Sequence, residues 1–127
     1  MPWVRFDDQF PYHRKVARLS DPAFRLHVSA IFWSALNLTD GWVPAESIPD
    51  IAPGLRRLEG LAAELVGRGL WHESNHGCKD CVLPPDGWMV HHYLTYQPSK
   101  AQVEKERADA RERQRRWRER RSDGKFA

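Results

Sequence analysis

Residues 55–93 read LRRLEGLAAELVGRGLWHESNHGCKDCVLPPDGWMVHHY, and the fold is decided here. Leu55, Leu58, Leu61, Ala62 and Leu65 recur at helical spacing, which predicts an amphipathic helix over 55–68 that Gly67 and Gly69 can end. Leu70-Trp71-His72-Glu73 and Gly87-Trp88-Met89-Val90-His91-His92-Tyr93 then read as strands, rich in aromatic and branched residues and bounded by glycine and proline. They pair as a hairpin. The loop between them holds Cys78, Cys81, Pro84 and Pro85 and offers little to bury.

Working toward the N-terminus, Ser20-Asp21-Pro22 is a helix start, since Ser or Asp caps free amides and Pro suits the first turn. Phe24, Val28, Ile31, Phe32 and Ala35 follow at helical spacing, and Leu26, Ala30 and Trp33 widen the apolar face of what should be the central core helix. Asn37 to Gly41 form a turn, Trp42-Val43 is a strand fragment, and Pro44-Ala45-Glu46 opens a short helix confined by Pro49 and Pro53-Gly54. Further upstream, Trp3 to Phe10 reads as a short strand or extended arm and His13 to Leu19 as a short helix. Helix, strand fragment, short helix, helix and hairpin are the order of a winged helix-turn-helix domain. The expected class is α+β, mainly α, with a two-stranded wing. A helical bundle with an attached hairpin is the competing architecture.

A chain of 127 residues with 41% hydrophobic and 29% charged residues supports one hydrophobic core and excludes wholesale disorder. No apolar run approaches the roughly 18–20 residues needed to span a bilayer, and the opening MPWVRFDDQF lacks the basic and then apolar pattern of a signal peptide. A cytoplasmic protein without a membrane partner is expected. The net charge of +3 is unevenly placed: residues 1–98 hold 9 Lys/Arg against 11 Asp/Glu, whereas 99–127 hold 11 against 6. Residues 1–98 therefore read as the winged-helix domain and 99–127 as a basic helical tail.

Three groups of residues carry chemistry. In the segment 72–81, His72, His76, Cys78 and Cys81 form H-x3-H-x-C-x2-C, whose thiolates and imidazoles suit a tetrahedral zinc ion. His91 or His92, returning on the opposite strand, can replace His72 or His76. Four protein ligands leave no open position, so the zinc would be structural and would pin the wing loop. A free or redox-active thiol pair beside unrelated histidines is the plainer alternative.

With the leucines of 55–68 turned inward, Arg56, Gly60, Ala63 and Gly67 face outward beside Arg57 and Glu64. Arg56 and Arg57 stand where a recognition helix reaches double-stranded DNA, and Lys79 in the wing loop joins them as a candidate contact. Glu59 and Glu64 oppose that reading, because carboxylates repel phosphate. In the tail, Arg111, Arg113, Arg115, Arg116, Arg118, Arg120 and Arg121 surround the helix instead of lining one side. An arm tracking nucleic-acid phosphates fits this better than a coiled coil, which needs an apolar seam. Asp7, Asp8 and His13 do not form a recognisable acid–base pair, and the sequence holds neither a phosphate-binding glycine loop nor a serine-nucleophile motif. Neither an enzyme nor a small-molecule substrate is expected, and His27 reads as a core or boundary histidine.

The opening MPWVRFDDQFPYHRKVARLSDPAFRLHVSAIFWSALNLTDGWVP and the closing GWMVHHYLTYQPSKAQVEKERADARERQRRWRERR resemble small winged-helix proteins of actinobacterial phages, prophages and integrative elements. Trp3, Asp7, His13, Lys15, Asp40-Gly41, His91, Tyr93, Tyr96 and Pro98 carry the match. Such proteins are described as helix-turn-helix DNA-binding or replication-initiator-like, so the resemblance implies DNA binding in the replication of a mobile element, with replisome proteins as further partners. It departs at His92, where the family pattern leads one to expect an acidic residue. A small transcriptional regulator and a replisome interaction module that does not read DNA are the alternatives.

Overall fold

The computed structural model describes residues 3–124; residues 125–127 of the basic tail lie outside the described residues. Along the chain run α1 (Arg14–Ala17), α2 (Asp21–Asn37), β1 (Trp42–Val43), α3 (Ile48–Ile51), α4 (Leu58–Gly67), β2 (Trp71–Glu73), β3 (Trp88–Val90), α5 (Tyr93–Tyr96) and α6 (Lys100–Gly124). The chain divides into two compact units, Met1–Gln97 and Pro98–Ala127. The whole is α+β and mainly helical, with a small three-stranded antiparallel sheet.

Ser20 starts α2 as the sequence predicts, its hydroxyl accepting from the Ala23 amide at 3.3 Å. The buried stripe of α2 is Ala23, Leu26, His27, Ala30, Ile31 and Ser34, an i, i+3, i+4 repeat that meets α4 and the sheet. It is not centred on Phe24, Val28 and Phe32 as expected: Phe32 is 50% exposed. Small residues let α4 and β1 approach closely, and the larger aromatics fall to the edge, where Phe6 and Phe10 of the N-terminal segment meet Phe32 and Phe24 at ring-centroid distances of 5.8 and 5.9 Å.

The turn after α2 is built around buried Ser34, whose hydroxyl accepts from the Gly41 amide at 2.7 Å and bonds the Thr39 hydroxyl at 2.6 Å. This delivers Trp42-Val43 to the sheet. The strand order is β1-β3-β2, with Trp42 opposite Met89 and His72 opposite the same Met89 from the other side. The expected two-stranded hairpin is thus three-stranded, because the two residues of β1, too short for any periodic signal, pair with β3. Gly87 makes that pairing possible: at φ +66° it lies so close to β1 that a Cβ would collide with the Val43 carbonyl and the Ala45 amide.

Helix α4 begins at Leu58, not at Leu55. Pro53 and Gly54 turn the chain, Leu55 stays half-buried against the core without being helical, and Arg57 enters the helix in the left-handed region at φ 55°, ψ 45°. A non-glycine residue there is uncommon and costs about 1–2 kcal/mol. Ala62 and Leu65 of α4, Val43 of β1 and Trp71 of β2 are fully buried and complete the core. His92, also left-handed at φ 55°, ends the strand region early and starts α5, so Tyr93 is helical and buried instead of extending β3.

In the second unit, α6 opens on a capping box: Ser99 Oγ accepts from the Gln102 amide at 3.1 Å while Gln102 Oε1 accepts from the Ser99 amide at 2.7 Å. No helix among the described residues is long and apolar enough to cross a membrane.

Candidate metal centre

The sequence from 72 to 92 folds so that soft donors converge at one end of the sheet. His72 projects from β2, Cys78 and Cys81 from the β2–β3 loop, and His91 stands directly after β3. One ligand atom from each of these four residues lies within 4.8 Å of all the others. His72 Nε2 is 2.7 Å from His91 Nδ1, and the same Nδ1 is 3.5 Å from Cys81 Sγ and 3.9 Å from Cys78 Sγ.

These spacings can be compared with a tetrahedral site. Bonds of about 2.0–2.1 Å to imidazole and about 2.3 Å to thiolate place donors roughly 3.3–3.8 Å apart. The observed separations bracket that range, so small side-chain rotations bring all four atoms onto one ion. The cluster could hold a metal ion.

Electrostatics points the same way. Burial pushes His91 down to about 4, with the positive charges of His92, His72 and Lys15 adding to it; burial and nearby His76, His92 and Lys15 also lower His72. Both imidazoles are therefore neutral and able to donate a lone pair near neutral pH. Burial pushes the Cys81 thiol up, against a bond from the His92 amide to Cys81 Sγ at 3.4 Å. That amide is aimed to steady a thiolate once a cation removes the proton. Cys78 and Cys81 are free thiols.

Of the sequence-derived set, His72, Cys78 and Cys81 come together, and His91 completes the group in the place that local spacing gives to His76. His76 is employed elsewhere: its ring stacks on His72 at 4.5 Å, Nδ1 accepts from the Cys78 amide at 3.1 Å, and Nε2 meets the Val82 carbonyl at 3.0 Å. It thereby shapes the turn that presents Cys78. His92 stacks on His91 at 3.7 Å and reaches Asp80 Oδ2 at 3.4 Å. The β2–β3 register, which local spacing does not reveal, is what carries His91 to the thiols.

Arg56 and Arg57 are exposed, Arg56 preceding α4 and Arg57 at its N-cap, and Lys79 is exposed between the two cysteines. Glu64 is half-exposed and engaged at the N-terminus of α2, accepting from the Ser20 amide and hydroxyl at 2.8 Å each. Glu59 remains as an exposed carboxylate in the first turn of α4. On α6, Arg115 pairs with Glu112 and Glu119, Arg116 pairs with Glu112, and Arg121 lies over the Trp117 ring at 5.1 Å. Among the described residues, Arg111, Arg113, Arg118 and Arg120 make no such pairing.

The chain matches no protein-family model, no curated protein and no solved structure. Geometry and chemistry alone bear on its role.

Proposed function

We propose that this is a non-enzymatic winged-helix protein that binds double-stranded DNA, its wing pinned by a structural zinc ion on His72, Cys78, Cys81 and His91. The observation that carries the proposal is topological: helix α2, strand β1, helices α3 and α4, then the β2–β3 hairpin, closing into a sheet of order β1-β3-β2. In that arrangement α3 and α4 are the helix-turn-helix, α4 is the element offered to the major groove, and the β2–β3 loop is the wing. Arg56 and Arg57 then contact phosphates or base edges at the α4 N-terminus, with Gly60 and Ala63 allowing close approach. Lys79 contacts the backbone from the wing, and the arginines of 111–121 track phosphates without reading sequence.

Zinc is favoured over other metals by the donor set, since two thiolates and two imidazoles with no open position describe a closed structural site. The setting favoured by the sequence resemblance is replication of a phage or other mobile element.

Gel-shift competition between specific and random duplexes tests the proposal, together with elemental analysis of the purified protein. Duplex binding that weakens steeply with salt, and that loses sequence discrimination in Arg56→Ala or Arg57→Ala, is the expected result. A protein that binds no duplex at low salt refutes it. A replisome interaction module is the second reading, and the exposed Phe32 and Leu36 on α2, with Trp3 82% exposed, are what favour it. Capture of a replisome protein by a chain inert toward DNA would support that reading instead.

A further inference from the structure

Between the N-terminal segment, α2 and the start of α5 lies a cavity of about 430 Å³, within the first unit and apart from the face that α4 offers to DNA. Its size is that of a site for a small organic molecule. The inner wall is apolar, formed by Val16, Ile31, Val90 and Tyr93, with Phe10 over it.

Two buried polar side chains, His27 and Gln97, interrupt this wall, and only His27 has a donor nitrogen left without a protein partner among the described residues. His27 is 3% exposed, and its Nδ1 accepts from the Trp71 Nε1–H at 3.0 Å. Because Nδ1 is the acceptor, the proton of the neutral ring sits on Nε2. That N–H has no partner among the described residues, yet no described side-chain nitrogen or oxygen is both fully enclosed and unsatisfied. Nε2 therefore opens onto space, and His27 lines this cavity. Burial pushes His27 down to about 4, so at physiological pH it is a neutral donor and not a cation. The Phe10 ring lies nearly parallel to it, at 5.9 Å and 20°.

The rim is of another character. Arg5, Arg14 and Lys15 border the opening, and among the described residues none of the three has a carboxylate partner. Asp7 is the lone carboxylate of the lining, and its Oδ1 already accepts from the Gln9 amide at 2.7 Å. Gln97 is likewise occupied, bonding both polar groups of the Arg5 backbone.

An apolar wall, a buried neutral donor whose N–H is unpartnered among the described residues, and a cationic rim describe a complementary molecule. We propose that this cavity binds a small aromatic acid: the ring packs against Phe10, Ile31 and Val90, a neutral oxygen or ring nitrogen at its inner end accepts from His27 Nε2–H, and its acidic group meets Arg5, Arg14 and Lys15. The site does not depend on the DNA-binding proposal. It would supply a chemical input close to the wing, since His91 lines the cavity and also belongs to the metal-ligating group.

The test uses the full chain as purified, at neutral pH and low ionic strength, titrated with 4-acetylbenzoate and followed by histidine side-chain proton–nitrogen NMR. Benzoate, lacking the inner acceptor, and acetophenone, lacking the acid, are the comparison probes. The expected result is a saturable one-to-one shift of the His27 Nε2–H signal, with 4-acetylbenzoate about tenfold or more tighter than either fragment, as one added charge-assisted or neutral hydrogen bond gives. The exposed double variant Arg5→Gln/Arg14→Gln should weaken 4-acetylbenzoate by about tenfold and leave acetophenone unchanged. The absence of a saturable His27 shift with all three probes overturns the site. Acetophenone binding as tightly as 4-acetylbenzoate, or a rim variant that weakens both equally, overturns the assignment of an acid.

Discussion

Acid should destabilise the first unit through His27, by an amount that follows from its burial. The ring is held neutral at a pKa of about 4 in the folded chain, against 6.5 when free in water. Between these values the unfolded chain binds a proton that the folded chain refuses, so stability rises with pH across the window. The contribution is complete above pH 6.5 and is lost progressively as pH falls toward 4. A shift of this size corresponds to about 3 kcal/mol at most, of which about 2 kcal/mol is lost between pH 7 and pH 5. His91 is depressed for related reasons and titrates in the same range, so wild type alone does not isolate the effect. His27→Gln does: the amide can accept from Trp71 Nε1–H through its oxygen but carries no titration. Urea unfolding of both proteins at pH 5, 6 and 7, followed by circular dichroism, should show wild type losing about 2 kcal/mol more than the variant over this interval. Equal losses within about 0.5 kcal/mol would refute the reasoning, and the proton would then have to enter the folded core without penalty.

Purified protein should carry about one zinc per chain; Cys81→Ser and His91→Ala should each abolish it while His76→Ala retains it, as read by elemental analysis. Arg57→Gly should raise stability to urea by about 1 kcal/mol, since glycine adopts the left-handed N-cap of α4 without strain. The same change should weaken duplex binding by removing a guanidinium from the proposed contact. Deleting residues 110–127 should lower affinity for all duplexes by one factor and flatten the salt dependence by about 0.9 in log–log slope for each phosphate that the shortened chain no longer neutralises. An unchanged slope means that α6 does not engage DNA.

Legibility in the sequence follows the physical range of each signal. The start of α2 is readable because a cap is an interaction over three residues, and Ser20 makes it to Ala23. The existence of α4 is readable from its leucines, but its start is not: Leu55 is core-facing whether or not it is helical, and periodicity registers only that it is inward. Strand β1 is two residues long and is defined by its partner, which no local pattern contains. The same limit governs the metal group. H-x3-H-x-C-x2-C places His72, Cys78 and Cys81, whose convergence is largely local, and leaves the fourth donor open among the remaining histidines. Pairing of Trp71 with Val90 sets His91 beside His72, a fact of register and not of spacing. The burial of His27 is readable as that of a core or boundary histidine, but its Nε2–H donor is not, since it depends on a tautomer fixed by Trp71, forty-four positions away.

The placement of the metal group also decides what the ion would hold. None of its four members belongs to the hydrophobic core formed by α2, α4 and the sheet, and residues 73–80 contain no buried side chain. The far end of the β2–β3 loop is secured without a metal, through Trp42 Nε1–H to the Asp86 carbonyl at 2.8 Å and the Ala45 amide to Asp86 Oδ1 at 2.9 Å. At the near end, the contacts within the cluster are joined by His76, bonded to the Cys78 amide and the Val82 carbonyl, and by His92 on Asp80, hydrogen bonds that no buried side chain of residues 73–80 reinforces. Chelation should therefore free the loop without unfolding the domain, because local opening requires only that nearby interactions break. Lys79, exposed between the two ligand cysteines, supplies the reporter. Trypsin should cut the Lys79–Asp80 bond on adding a chelator and leave it intact in the metal-loaded chain, with the far-ultraviolet spectrum nearly unchanged. The tail arginines are cleaved in both states and serve as an internal control, resolved by peptide mass. Equal cleavage at Lys79 with and without metal would show that no ion pins the loop. Cooperative loss of all helical signal on chelation would show instead that the ion supports the core, as in domains that cannot fold without their metal.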